Sequence, residues 1–483
     1  MASFAAGHKL PQTVMATPDE FLQNFRTKTS EYLSNAYLAD FPLRRLEADG
    51  RLITSQGSQI FAMFKMLMDI VQEYLDAGKL TNSDAGDAII IDVLNFLLLS
   101  FRYKQTHFRD RCLRDLEGCC ASANDCLAMV EVVEEVMDDV MERRCPLRKE
   151  LREGAIMMIN ERSRDLATLY GADAVYSAQM VQHYVFAPIC DKIEEDLFTD
   201  RWEANLTQNE LARSIVRTVE DFMGDIEVYI GEDFLLKKAV DALVTATVVF
   251  YVRCLLVKAR RRHQWSLSWS DDSTFVDPQR AVLRMRDDIE IMKDYFVSLV
   301  PKMPALARVI EKEFAMLTAI FECLSIGSGL AKSGELADFV LVFHKCTRQV
   351  SLTRAMVGDI YHLVAPGKEH MAKTIVDSMQ ENLEQFPDIN RSADAQEGAD
   401  RLQVPGLRMD LMLYETYNID GLGKHLHRLS SSRLIEHLRS SGIHHTRTRP
   451  TEEAHVSVEE TIANLTTYLQ DLRAMAEGRR AEI

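Results

Sequence analysis

Proline is missing from two long stretches of this 483-residue chain, Leu43–Cys145 and Ile189–Asp277. A proline inside a helix removes a backbone donor and clashes with the preceding turn, so its absence leaves both stretches open to long helices. Strand signals are also scarce. Asp49-Gly50 is a hairpin-like dipeptide, but its flanks do not alternate between apolar and polar residues. The most apolar segment has no charge-free run long enough to cross a membrane: Ala242–Val252 falls well short of the ~20 residues a span needs. The opening MASFAAGHKLPQ lacks a basic start and a sustained apolar run, and Met1 is not followed by glycine. Neither a secretory signal nor myristoylation fits, and a cytoplasmic location is expected.

Positive charge is in short supply. Lys and Arg number 56 against 73 Asp and Glu, giving a net charge of −17. That balance excludes a general nucleic-acid binder, which needs cations to displace counter-ions from phosphates. The nine cysteines are odd in number and form no CxxC pair. Even the close set Cys112, Cys119, Cys120 and Cys126 reads as reduced thiols on helices rather than a zinc site.

Catalytic signatures are equally sparse. There is no GxSxG elbow, GxxxxGK[ST] phosphate loop, GxGxxG or HExxH. A di-iron bundle needs two ExxH motifs, and only Glu452…His455 fits. Asp138-Asp139-Val140-Met141-Glu142 matches the DDxxE pattern with which all-α prenyl-diphosphate enzymes hold magnesium. It follows Glu134 and Glu135 and has no second magnesium motif downstream, so a solvated acidic helix face is the simpler reading. No cofactor and no catalytic residue is expected.

What is present is helical. Apolar residues make up 47% of the chain, as in a folded protein, and its length suggests roughly three domain-sized units. Thr17-Pro18-Asp19-Glu20 places a hydroxyl at the helix cap, proline at the first helical position and a carboxylate three residues on. Thr207…Glu210 and Ser457…Glu460 repeat the box, and Asp277-Pro278 repeats the cap and proline. The pattern predicts an all-α fold with helices over 18–38, 55–77, 84–117, 119–143, 146–169, 174–197, 207–230, 233–262, 278–299, 304–324, 333–348, 351–365 and 368–384. Joints are expected near Leu80, Pro146, Leu206 and Gln264–Asp277.

These joints give a disordered start (1–15), amino-terminal helical bundles (16–206), carboxy-terminal bundles (207–386) and a partly disordered tail with one or two helices (387–483). In the tail, Val458, Ile462, Leu465, Leu469 and Leu472 keep a heptad seam.

The strongest feature is Ser214–Lys258. Ile215, Val219, Phe222, Ile226 and Tyr229 make one helical stripe. Beyond Asp233, Val240, Leu243, Val244, Val248, Val249, Phe250, Tyr251, Val252 and Leu255 cover nearly the whole circumference, as on a helix buried on all sides. Val248–Tyr251 are therefore expected in the core, with a partner for the Tyr251 hydroxyl.

Two basic patches interrupt the acidic background. Lys258, Arg260, Arg261 and Arg262 precede Trp265 and Trp269, forming a candidate partner or anionic-membrane contact. Against that stands a plainer reading: cations drawn to a helix C-terminus, with tryptophans packed on the bundle. A second patch holds Lys424, Arg428, Arg433, Arg439, Arg447 and Arg449.

Thr218-Val-Glu-Asp221-Phe222-Met-Gly-Asp225, then Lys238…Val240…Val248-Val249…Tyr251-Val252…Leu255-Leu256, form one block, followed by Arg284-Met285-Arg286-Asp287-Asp288 and Asp294-Tyr295-Phe296. In order and spacing these resemble exocyst complex component 3, a vesicle-tethering subunit, with weaker likeness over roughly residues 16–385. The resemblance implies an elongated rod of stacked antiparallel helical bundles. It also implies a non-catalytic role in exocytosis, docking secretory vesicles at the plasma membrane through other exocyst subunits and SNARE proteins. The location implied is cytoplasmic, peripheral at sites of secretion. The chain begins downstream of that family's long amino-terminal coiled-coil region, and the SWSDDS segment and the tail after Phe386 fall outside the likeness. Competing readings are a helical-rod tether of the Golgi or endoplasmic reticulum, a free-standing helical scaffold, or a magnesium-dependent all-α enzyme using Asp138, Asp139 and Glu142.

Overall fold

The computed structural model describes residues 17–37, 44–47, 49–80, 83–139, 152–204, 209–260, 273–330 and, within 342–365, residues 342, 343, 345, 346, 350 and 352–365. The described residues are all-α apart from one two-stranded sheet. They fall into two compact units: residues up to Ser177 together with Tyr229–Gly231, and residues from Ala178 onward without that turn.

The first unit begins at the expected cap. Thr17 N–H donates to Glu20 Oε2 (2.9 Å) and Glu20 N–H to Thr17 Oγ1 (3.4 Å), opening α1 (Pro18–Tyr37). Its apolar side packs on α2 (Ser55–Ala77) and α3 (Asp84–Cys112), where the Phe21 and Tyr74 rings stack at 3.7 Å. Ser83 caps α3 by accepting from Gly86 N–H at 3.1 Å. α4 (Leu116–Asp139) lies against α2 and α3. The expected joint at Leu80 stands between α2 and α3.

Two expectations fail here. The first concerns strands: β1 (Arg44–Leu46) and β2 (Leu52–Thr54) pair antiparallel around the Asp49-Gly50 turn, in register Leu46↔Leu52 and Arg44↔Thr54. Gly50 supplies the turn with a φ of +89°, which an L side chain rarely adopts. So short a ladder carries no alternation to read. It exists because α4 holds it: Asn124 Nδ2 donates to Leu52 O at 2.7 Å, and Asp125 accepts from Thr54 N–H at 3.1 Å.

The second failure is the break expected between 169 and 174. α5 runs unbroken from Arg152 to Ile193. Gly171 costs a helix roughly 1 kcal/mol of propensity, and the packing around it offsets that. Tyr170 is buried. Asp173 binds Arg109 Nη1 at 3.0 Å and Gln105 Nε2 at 3.0 Å, both on α3. The Ser122 and Ser177 hydroxyls meet at 3.0 Å, tying α4 to α5.

The second unit holds the end of α5, α6 (Asp200–Ala204), α7 (Glu210–Tyr229), α8 (Asp233–Arg260), α9 (Pro278–Leu299), α10 (Leu306–Gly327) and α11 (Arg354–His362). α8 is its central strut, packed by α10 and α11, and α9 packs on α10. Val248, Val249, Phe250 and Tyr251 are buried, as their all-round apolar setting demands. Asp233–Ala259 is nonetheless long and apolar enough to cross a membrane, with 27 residues and a mean hydropathy of 1.9 over its most apolar 18-residue window, which its charge-free run alone did not reveal. In this fold 78% of its most apolar window is buried by protein, and its charges are accommodated locally, Lys237 pairing with Asp241 at 2.7 Å. It is the core helix of a bundle.

Candidate functional site

The two sequence blocks singled out above meet in one buried polar network. α8 contributes Tyr251 and α9 contributes Asp288. The Tyr251 hydroxyl donates to Asp288 Oδ2 at 3.0 Å, and Trp202 Nε1 of α6 donates to the same oxygen at 3.2 Å. Asp288 lies on the inward stripe Ala281, Met285, Asp288, Met292 of α9, so the helical period drives a carboxylate into an apolar layer. Burial pushes its carboxyl up to about 6, against the bonds from Tyr251 and Trp202 and the charge of Arg284, which hold it down. The Tyr251 phenol is pushed well above its usual range by burial, and further by the Asp288 charge.

Around this bond the aromatic rings interlock. Phe198 sits edge-on to Trp202 and to Tyr251, both at 5.0 Å between centroids, and Phe275 closes the cluster 6.0 Å from Trp202. Arg284 is buried with its guanidinium 5.1 Å over the Trp202 ring. Asn209, just before α7, donates to Arg284 O at 3.4 Å.

Glu203, next to Trp202, accepts from Val276 N–H (2.9 Å) and Asp277 N–H (3.3 Å). Asp277 in turn caps α9 by accepting from Arg280 N–H at 3.2 Å. The five-residue α6 therefore pins the start of α9 with its carboxylate and the middle of α9 with its indole. Burial raises the Glu203 carboxyl, while the bond from Asp277 and the nearby Lys258 charge pull it down.

These contacts decide the place of one expected surface residue. Lys258 is 2% exposed, with its ammonium 5.8 Å over the Phe275 ring and beside Glu203. In this fold it belongs to the interior. Arg260 ends α8; its side chain, and all of Arg261, Arg262, Trp265 and Trp269, lie outside the described residues. So do Glu142, the side chains of Asp138 and Asp139 at the end of α4, Thr207, and the whole tail from residue 366, including the second basic patch and the heptad seam. Among the described residues no group of three or more His, Cys, Asp or Glu could hold a metal ion. The described cysteines are thiols, and Cys119, Cys120 and Cys126 are buried.

Sequence reasoning missed Trp202 and Glu203, since α6 is too short to show a period. Asp288 did leave a signal: a lone carboxylate on an otherwise apolar stripe.

Residues 12–350, which contain both blocks and all of this network, match the family described as exocyst complex component Sec6. The chain belongs to the Sec6 family of exocyst components. That membership carries a non-catalytic, vesicle-tethering role and gives the component 3 resemblance its coarser content, an exocyst subunit. The match ends short of α11 and of the residue 385 to which the resemblance was traced. The fold of this Sec6-family chain is similar to the crystal structure of the C-terminal domain of the exocyst subunit Sec6p. The TM-score is 0.59 at 12% identity, over 80% of this chain and 96% of that one. At that identity the likeness speaks for the fold. No curated protein matches the chain.

Proposed function

We propose that this chain acts as a subunit of the exocyst, helping to dock secretory vesicles at the plasma membrane through other exocyst subunits and SNARE proteins. The observation that carries the reading is the Tyr251–Asp288 bond, which joins the two family-like blocks inside a region matched by the Sec6 family. A buried network of that kind specifies how helices pack and leaves their outer faces for partners.

Affinity purification of the tagged chain from its native cells tests this. Recovery of other exocyst subunits is the expected outcome. Recovery of a Golgi or endoplasmic-reticulum tether would replace the reading, and recovery of neither would leave a free-standing scaffold.

The contact surface in this proposal is the basic segment Arg260, Arg261 and Arg262 with Trp265 and Trp269, without the buried Lys258. Reversing the three arginines to glutamate should abolish binding to anionic vesicles or an acidic SNARE segment with helix content unchanged. Wild-type binding should weaken steeply as salt rises. Binding that survives the reversal at low salt removes this segment and passes the role to the patch at Lys424–Arg449.

A further inference from the structure

Two adjacent side chains on α4 bind the β1–β2 hairpin. Asn124 Nδ2 donates to Leu52 O (2.7 Å) and to Tyr229 O (2.8 Å), and its Oδ1 accepts from Gly231 N–H (3.3 Å). Asp125 takes the end of β2: Thr54 N–H at 3.1 Å and the Thr54 hydroxyl at 2.5 Å, both on Oδ2. Thr54 is fully buried and Asp125 is 7% exposed. The attachment thus rests on a buried carboxyl whose donors are both neutral and come from one residue.

The charges facing it do little to offset that burial. Among the described side chains of the hairpin, Arg51 is the cation that acts on Asp125, and its Nε lies 3.9 Å from Asp49. On α4 itself the neighbour is the Cys126 thiol, which the Asp125 charge pushes further up. From α5 the facing charge is Asp173, a second acid acting on Cys126 and already bound by Arg109 and Gln105 of α3. The other α3 group there is the Cys112 thiol. From α2, Lys65 is engaged by the exposed Glu135. The Tyr229–Gly231 turn presents its backbone.

We propose that the hairpin is a proton-controlled strap: it is fastened to α4 while the Asp125 carboxyl is protonated and loosens as that carboxyl ionises. A protonated carboxyl can accept from Thr54 N–H through one oxygen and share its proton with the Thr54 hydroxyl, leaving no buried charge. Ionisation leaves a buried carboxylate with no ion-pair partner among the described residues, and hydration after the hairpin lifts is its relief. Burial places the carboxyl at about 7, against the bonds from Thr54 and the Arg51 charge, so the change falls in the neutral range. The folded value lies above the value of an open, hydrated carboxyl. The stabilising effect is therefore complete in acid and lost as pH rises through about 7.

Amide hydrogen exchange on the full chain, corrected for intrinsic rates, reads the strap directly through Thr54 and its neighbours in β2. From pH 6 to pH 8 their protection should fall about tenfold, while amides in the middle of α3 hold theirs. In Asp125→Asn, whose amide copies the protonated carboxyl, hairpin protection should persist and lose its pH dependence. Thr54→Val, which removes the hydroxyl donor, should keep the fall and move it to higher pH. Hairpin protection that is flat with pH in the wild type overturns the proposal. So does an equal fall in Asp125→Asn, or a parallel fall in α3, which would mark global unfolding instead of a strap.

Discussion

The Tyr251 hydroxyl of α8 donates to Asp288 Oδ2 of α9 at 3.0 Å, with both residues buried. Each makes the other tolerable. A buried phenol needs an acceptor, and a buried carboxylate needs donors. Trp202 supplies the second donor, which makes a five-residue helix part of the core.

Asp288 gives the second unit a pH dependence of definite sign. Its carboxyl stands at about 6 in the fold against an ordinary 3.8, so its contribution is whole below the ordinary value and lost as pH rises through about 6. That difference corresponds to at most about 3 kcal/mol. Urea unfolding at pH 4 and pH 8 should show the wild type losing up to that much more stability than Asp288→Asn. An equal loss in both proteins would mean that Asp288 does not titrate in this range.

Phe250→Ala should lower stability by about 3–5 kcal/mol. Phe250 is buried and its ring lies 5.9 Å from that of Phe186. The cavity left between α8 and the end of α5 has rigid helices on its walls. A thermal midpoint equal to the wild type would show that the layer relaxes around the loss.

Arg109→Ala should be worse than an ordinary surface change. It leaves Asp173, 3% exposed at its side chain, with only Gln105 to satisfy a buried carboxylate. Removing one partner of a buried pair costs about 3–5 kcal/mol, and the 30% exposure of Arg109 puts the expectation near the lower end. Asp173→Asn combined with Arg109→Ala should recover part of it, as measured by chemical denaturation.

Gly327→Ala probes the close approach of α10 and α11. A Cβ at Gly327 would stand 2.5 Å from Val364 Cγ2 and 2.8 Å from Tyr361 Cε2, closer than van der Waals contact permits. Overpacking of this kind costs about 1–3 kcal/mol. The matching change Gly224→Ala, where nothing lies within 4 Å, should be neutral or slightly stabilising by helix propensity.

Much of the fold was legible because its signals are local. The box at Thr17–Glu20, the Asp277-Pro278 start and the all-round apolar surface of α8 each depend on residues within a turn or two, and each is realised as read. The family-like blocks were also visible as order and spacing along the chain. What stayed hidden depends on distant partners. α5 crosses Gly171 because Arg109 and Gln105, more than 60 residues away, hold Asp173. The hairpin at Asp49-Gly50 forms because Asn124 and Asp125 supply what three-residue strands cannot. Lys258 reads as a surface cation in sequence and turns inward because Phe275 and Glu203 wait there. Local pattern by itself determined most of the long helices and which of their faces are apolar. Only the tertiary structure decided where buried charge could be tolerated, because that depends on donors and counter-charges that no sequence spacing brings together.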